Sequence, residues 1–345
     1  MPEVLEPVRI TPDERRSLPD PLIESWRERG FALVDGLVPD DLVAALRRFG
    51  HEHFPAPESE DARRHGTFGA LAFPAECAAM NELTLHPQLL QAIAELLDVP
   101  VPELRLTQSD LWPKYGRSER TLGAYDNQDQ RIHVDYPNHT LVHPAPWDRP
   151  EAVEAILYLD DVDEVGGPTA VVPREGRDDP LYPWPIVASP GIGDLQYIND
   201  RESAEAYMAE QRPESTALRE ALYAREHHAR YRPGTLLLYR HDTWHRGTPL
   251  RRGMLRLAQN LTFRRADCEW ISTLHTGWAW KMYRHDKLME RLIADASLDQ
   301  RAVLGFPQPG DRYWCDATID AVEARYGAYG LDAAPYRRAL ADGPQ

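Results

Sequence analysis

Pro233-Gly234-Thr235-Leu236-Leu237-Leu238-Tyr239-Arg240-His241-Asp242-Thr243-Trp244-His245-Arg246-Gly247 opens on a turn, runs through an apolar strand and reaches a histidine at its end. Downstream, Met254 to Phe263 alternates. Leu255, Leu257, Leu261 and Phe263 share one face, and Arg256, Ala258, Asn260 and Thr262 share the other, with Gln259 the exception. Upstream, 131–135 alternates across a strand and Ala155-Ile156-Leu157-Tyr158-Leu159 is a mostly apolar one. Asp163-Glu164-Val165-Gly166-Gly167-Pro168 makes a turn into the strand Thr169-Ala170-Val171-Val172-Pro173. Short strands separated by turns over 103–265, with one long irregular excursion at 174–230, suit an antiparallel sandwich or barrel.

The flanks differ in period. Residues 1–102 read as helical with one short strand, Phe31-Ala32-Leu33-Val34. Asp40 or Asp41 can cap a helix carrying Leu42, Leu46 and Phe49 on one stripe. A second helix follows His86-Pro87, with Leu89, Leu90, Ile93, Leu96 and Leu97 at helical spacing. Residues 266–345 read as helices and loops, and the three regions as one domain: helical flank, β core and C-terminal extension. Charged residues make up 27% and hydrophobic ones 42%, an ordinary globular balance, and no apolar run approaches the ~20 residues of a membrane helix. A formal charge of −16 repels a phosphate backbone, which argues against a nucleic-acid partner. Cys77, Cys268 and Cys315 are widely spaced with no C-x-x-C pair, so a reducing compartment, the cytoplasm, is expected.

On a strand, residues i and i+2 project from one face, so His133 and Asp135 can reach a single point. Joined by a distant histidine, such a pair makes the facial triad of non-haem iron(II) oxygenases. His245 suits that part, with His241 its nearest rival. Arg256, eleven positions further on, has the planar fork that grips a carboxylate through two hydrogen bonds. Each feature alone has an ordinary structural reading. In a chain with 13 histidines H-x-D recurs by chance, His245 suits an exposed loop, and Arg256 suits an ion pair with a structural carboxylate.

Several stretches nevertheless occur together in one order: Gly30-Phe31-Ala32-Leu33-Val34-Asp35-Gly36-Leu37, Leu85-His86-Pro87, His133-Val134-Asp135, Gly166 through Pro173, and Arg232 through His245 on to Arg256. In this the chain resembles the phytanoyl-CoA dioxygenase family over about residues 20–265. The resemblance implies a double-stranded β-helix (a cupin-like jelly roll), mainly β with flanking helices, and a dependence on Fe(II), 2-oxoglutarate and O2. It implies His133, Asp135 and His245 as metal ligands and Arg256 as the oxoglutarate anchor. Gln108, Lys114 and Thr248 fall where relatives contact that co-substrate. Tyr136 and Asn138 follow Asp135 closely enough to face a small-molecule substrate. Hydroxylation of a C–H bond, with release of succinate and CO2, is the implied reaction, because Asp135 stands where related halogenases have Gly or Ala. Two departures concern the substrate: Arg174-Glu175-Gly176 replaces the family's frequent Gly-Ser-His, and the 174–230 excursion is long. Two other readings use the same residues. One is a zinc hydrolase on the same ligands; the other is a non-catalytic small-molecule binding protein of this fold.

Overall fold

A computed structural model describes residues 4–10, 18–57, 59–65, 71–116, 128–136, 147, 150–192, 195–268, 287–311 and 314–342. Eleven strands lie among them: β1 (Val4–Leu5), β2 (Val8–Arg9), β3 (Phe31–Asp35), β4 (Leu71–Ala72), β5 (Leu104–Tyr115), β6 (Ala152–Tyr158), β7 (Thr169–Val171), β8 (His227–Ala229), β9 (Leu236–Arg240), β10 (His245–Gly247) and β11 (Leu255–Arg265). They form a seven-stranded sheet in the order β2-β3-β9-β6-β11-β5-β4 and a four-stranded one in the order β1-β8-β7-β10. From β6 onward the chain passes between the two sheets, and this winding makes the double-stranded β-helix.

The parity of β11 shows why it sits where it does. Leu255, Leu257, Leu261 and Phe263 enter the main core, which also takes Leu89, Leu90, Ile93, Leu96 and Leu97 of the helix Pro87–Leu97. Gln259 lies on that apolar face because its amide donates to Thr84 Oγ1 at 2.9 Å and Ser109 Oγ at 3.1 Å, so its burial leaves the donor satisfied. The opposite face of β11 looks into the barrel. In register with it stand Lys114 of β5 beside Arg256 and Ile156 of β6 beside Asn260.

A single carboxylate pins the helix Asp40–His53 to this sheet. Asp160, 1% exposed, accepts from Arg47 Nε at 2.9 Å, from the Leu257 amide of β11 at 2.7 Å and lies 2.8 Å from His51 Nε2. Gly50 permits the approach, since a Cβ there would sit 2.6 Å from Leu257 Cδ1. Pro39 occupies the cap position of this helix, and Asp40 and Asp41 lie in its first turn, where they complement the helix dipole.

Three sequence expectations need correction. Residues 131–135 are not a strand: only His133 bridges, to His245. The described residues among the first hundred hold four strands, two of them hydrogen-bonded beside β9 and β8. The excursion 174–230, read as irregular, also carries a strand, β8, which pairs with β7. Two-residue and three-residue strands leave too little periodicity to be read. The region after β11 holds the helices Leu288–Asp295, Leu298–Val303, Asp316–Tyr326 and Ala334–Asp342, with an apolar cluster of its own around Trp314 and Tyr336.

Burial pushes the Asp160 carboxyl up, but the hydrogen bonds from His51, the Leu257 amide and Arg47 together hold it below the ordinary carboxylate value. A depressed folded-state pKa stabilises above the unfolded value and loses that contribution as pH falls through the folded one. Asp160→Ala is expected to cost about 2 kcal/mol at pH 7, from the orphaned buried amide and the lost pin. The gap to wild type should narrow below about pH 4, read from urea midpoints across pH.

Candidate metal centre

β10 starts at His245, which pairs with Val171 of β7 on one side. On its other side His245 exchanges two backbone hydrogen bonds with His133, at 2.9 and 3.0 Å. Residues directly opposite in an antiparallel pair carry their side chains on the same face. The two imidazoles therefore stand side by side, with ring centroids 4.4 Å apart. Asp135, two residues on, returns to that face, and the backbone then turns so that the Asp135 and Tyr136 amides both donate to the His241 carbonyl. One ligand atom from each of His133, Asp135 and His245 lies within 4.8 Å of the others.

The imidazoles are oriented from behind. His133 Nδ1 is 2.9 Å from the Arg131 carbonyl, and His245 Nδ1 is 3.0 Å from the Thr243 carbonyl. A carbonyl only accepts, so both Nδ1 atoms carry a proton and both Nε2 atoms face inward, the orientation a metal ligand needs. His133 Nε2 is 3.5 Å from one Asp135 oxygen and His245 Nε2 is 3.2 Å from the other. Burial, reinforced by His245 and Arg131, pushes His133 down to about 3, so it is neutral at physiological pH. Burial also works against a cationic His245, but the charge and hydrogen bond of Asp135 raise it. Tyr239 of β9 donates its hydroxyl to Asp135 Oδ2 at 2.7 Å. Burial and the Asp135 charge raise that phenol well above its ordinary value, so it stays a donor. The donor set is two nitrogens and a carboxylate, borderline ligands that suit iron(II) or zinc and are poor for calcium or magnesium.

The cluster opens on a cavity of about 360 Å³, lined also by Trp112, Lys114, Gln130, Ile156, Tyr197, Asn199, Tyr239, Gly247, Arg256 and Asn260. Arg256 donates to the Gly167 carbonyl and lies 5.1 Å from the centroid of the Tyr158 ring. Among the described residues no carboxylate pairs with it, and its Nε is buried without a partner. The structural ion pair that the sequence left open for Arg256 is absent among the described residues. Lys114 reaches the same cavity and donates to the Thr248 carbonyl at 2.7 Å. Gly247 leaves room for the ends of two long side chains, since a Cβ would lie 2.4 Å from Gln130 Oε1 and 3.1 Å from Lys114 Nζ.

The remaining candidates separate. Thr248 is buried, its hydroxyl donates to the Pro168 carbonyl at 2.6 Å, and it does not line the cavity. Gln108 shares the inward face of the sheet but lies further along it. There its amide donates to Asp110 at 3.0 Å and its carbonyl accepts from Thr262 at 3.2 Å. Tyr136 turns away: it is 6% exposed, packs with Ile132, Val134 and Trp244, and donates to the Ile186 carbonyl at 2.7 Å. Asn138 lies outside the described residues. His241 is buried and contributes its backbone carbonyl. Sequence reasoning missed Tyr239, Trp112, Gln130, Tyr197 and Asn199. Strand parity around Arg256 had already put Asn260 on the cavity face.

The family model described as Phytanoyl-CoA dioxygenase (PhyH) matches residues 26–256. Among solved structures, the chain is similar to EvdO2 from Micromonospora carbonacea var. aurantiaca, crystallised with 2-oxoglutarate. That likeness has 16% identity and a TM-score of 0.51, and covers 73% of this chain and 93% of that one. It is also similar to SnoK, a non-heme alpha ketoglutarate dependent carbocyclase from nogalamycin biosynthesis, at 17% identity and a TM-score of 0.49, covering 76% and 90%. EctD from S. alaskensis follows at 14% identity and a TM-score of 0.45, covering 77% and 83%. At these identities the likeness to EvdO2 is one of fold. No curated protein matches the chain.

Tyr239→Phe removes a single hydroxyl from the Asp135 side of the centre. Divalent metal binding, followed by Co(II) absorption, is expected to weaken by about tenfold, while the unfolding midpoint shifts little.

Proposed function

Because this chain belongs to the phytanoyl-CoA dioxygenase family, and is an iron(II)- and 2-oxoglutarate-dependent oxygenase, we propose that it hydroxylates an unactivated C–H bond of a small-molecule metabolite. In this reading His133, Asp135 and His245 hold the iron and Arg256 anchors the distal carboxylate of 2-oxoglutarate. One observation carries it. Two inward-facing imidazoles and a carboxylate share a cavity with an arginine that has no carboxylate partner among the described residues.

The residues fit the metal by their donor chemistry: two imidazole Nε2 atoms and one carboxylate would hold it and leave room for other ligands. The chemistry that iron and co-substrate supply when bound is the coupling of O2 reduction to decarboxylation, so that R–H, 2-oxoglutarate and O2 become R–OH, succinate and CO2. The protein's own part is position and exclusion of water. Tyr239 fixes the rotamer of Asp135, and the Arg131 and Thr243 carbonyls fix the two imidazoles. Arg256 offers its fork to a carboxylate from β11, with Lys114 next to it across the sheet adding a second cation. Trp112 and Ile156 give the cavity apolar wall, which strengthens each polar contact inside it.

The zinc-hydrolase reading uses the same three ligands but gives Arg256 no task. A binding protein without catalysis leaves the inward orientation of His133 and His245 unexplained. The net charge of −16 favours a small metabolite over a large polyanion such as an acyl-CoA, and disfavours nucleic acid. The wide spacing of Cys77, Cys268 and Cys315, with no C-x-x-C pair, fits a reducing, cytoplasmic setting. Gln108 and Thr248 are not needed in this reading, and Lys114 is retained.

Aerobic incubation with iron(II) and 2-oxoglutarate should release succinate, slowly even without a second substrate. Arg256→Ala should weaken oxoglutarate binding by about 100-fold, in keeping with loss of a charge-assisted contact, with Co(II) binding unchanged. Unaltered affinity for oxoglutarate in that variant would remove the anchor assignment.

A further inference from the structure

The segment 131–136 that carries two of the three ligands is not a strand, and His133 is the residue that bridges it to the barrel, at His245. A backbone in that position needs other partners for its remaining amides and carbonyls. The 174–230 excursion supplies those of Ile132 and of the Arg131 amide. The Ile132 amide donates to Tyr223 Oη at 3.0 Å, and the Ile132 carbonyl accepts from Arg219 Nη2 at 3.0 Å. Both polar atoms of the residue immediately before His133 are thus held by side chains of the excursion.

Those two side chains are locked to each other. Glu205 accepts from Arg219 Nε at 2.5 Å, from Arg219 Nη2 at 2.6 Å and from Tyr223 Oη at 2.6 Å. Arg219, 2% exposed, donates its remaining nitrogen to the Ala188 carbonyl at 2.8 Å. A guanidinium buried to this degree costs several kcal/mol unless paired and fully hydrogen-bonded, and here it is both. The excursion also holds the next residue back. The Arg131 amide donates to the Asn199 carbonyl at 2.8 Å, and its guanidinium donates to Asn199 Oδ1 at 2.9 Å and to the Pro190 carbonyl. The carbonyl of that same Arg131 is the acceptor that orients His133 Nδ1.

We infer that Tyr223, Arg219 and Glu205 form a clamp that positions His133 for the metal, so the excursion serves as scaffold for the metal centre. The inference rests on the assignment of His133, Asp135 and His245 as ligands. None of the three clamp residues lines the cavity or belongs to the ligand group, and they act through the Ile132 peptide. A displacement of that peptide moves His133 relative to His245, and a shift of a few tenths of an ångström at a ligand weakens a site that demands fixed geometry.

The test uses Co(II) alone as the probe, titrated into the full-length metal-free protein and read by its visible absorption. Tyr223→Phe and Arg219→Lys are expected to weaken Co(II) binding by about tenfold or more and to alter the shape of the absorption band. Arg301→Lys is the control. That arginine is equally buried and holds the Ile293 and Ala294 carbonyls, in the C-terminal cluster. It should lower Tm and leave Co(II) affinity and spectrum unchanged. Should Arg219→Lys fail to fold, Tyr223→Phe, which removes one oxygen atom, carries the test. Co(II) binding and spectra like wild type in Tyr223→Phe would overturn the clamp, as would an equal loss in Arg301→Lys. Absence of Co(II) binding by the wild type would overturn the ligand assignment itself, which separates the two failures.

Discussion

The two backbone hydrogen bonds exchanged between His133 and His245 bring together parts of the chain that are over a hundred residues apart. Everything at the centre follows from that pair. Antiparallel pairing sets the imidazoles on one face, the period of two returns Asp135 to it, and each Nδ1 finds the carbonyl two residues earlier. The geometry is therefore written in backbone hydrogen bonds before any side chain chooses a rotamer. Only His245 has a regular ladder behind it, through Val171 of β7. His133 has side chains of a helical excursion in place of a neighbouring strand.

This asymmetry explains how the two sheets divide the work. The seven-stranded sheet is the stable half. Its outer face is buried under the helices Asp40–His53 and Pro87–Leu97, and its central strands β9, β6, β11 and β5 are paired along most of their length. On its inner face it offers Tyr239, Lys114, Arg256 and Asn260 from strands that cannot slip register without exchanging their core and cavity faces. The four-stranded sheet is made of short strands and supplies His245. The seven-stranded sheet thus supplies Tyr239, Lys114, Arg256 and Asn260, while His245 comes from the sheet of short strands and His133 and Asp135 from a segment outside both sheets.

How much of this was legible depended on period and length. β11 announced itself through the alternation from Met254 to Phe263, and its parity separated Arg256 from the core leucines because one face is apolar save for Gln259. The turn at Pro233-Gly234 and the apolar run after it led to β9 for the same reason. Short strands did not show: β1, β2 and β4 have two residues each, and β8 has three. The H-x-D segment looked like a strand because its side chains alternate, yet alternation survives in extended backbone that has no ladder. Tyr239 was missed because its phenol sits at the end of an apolar strand, where an aromatic reads as core. Its partner Asp135 is 104 residues away. Tyr197 and Asn199 come from irregular chain, for which no pattern places a side chain.

The charge balance of the centre closes the argument about what the cavity accepts. Glu154 is buried close to Asp135, and burial together with that negative neighbour raises its carboxyl well above the ordinary range, a shift toward the neutral form, while it accepts a hydrogen bond from Thr262. With both imidazoles neutral, as metal ligation would require, the ligand set would carry the single negative charge of Asp135. A divalent cation held there leaves one net positive charge, and a dicarboxylate bound to it turns the sum to minus one. Arg256 brings that to zero, and Lys114 adds a further positive charge on the same wall. A second ionised carboxylate at Glu154 would take the site below neutrality without Lys114 and would weaken the hold on any anion. In the proposed reading the burial of Glu154 and the guanidinium of Arg256 would act in one direction, keeping the interior field favourable to a dianion inside a protein whose overall charge is strongly negative.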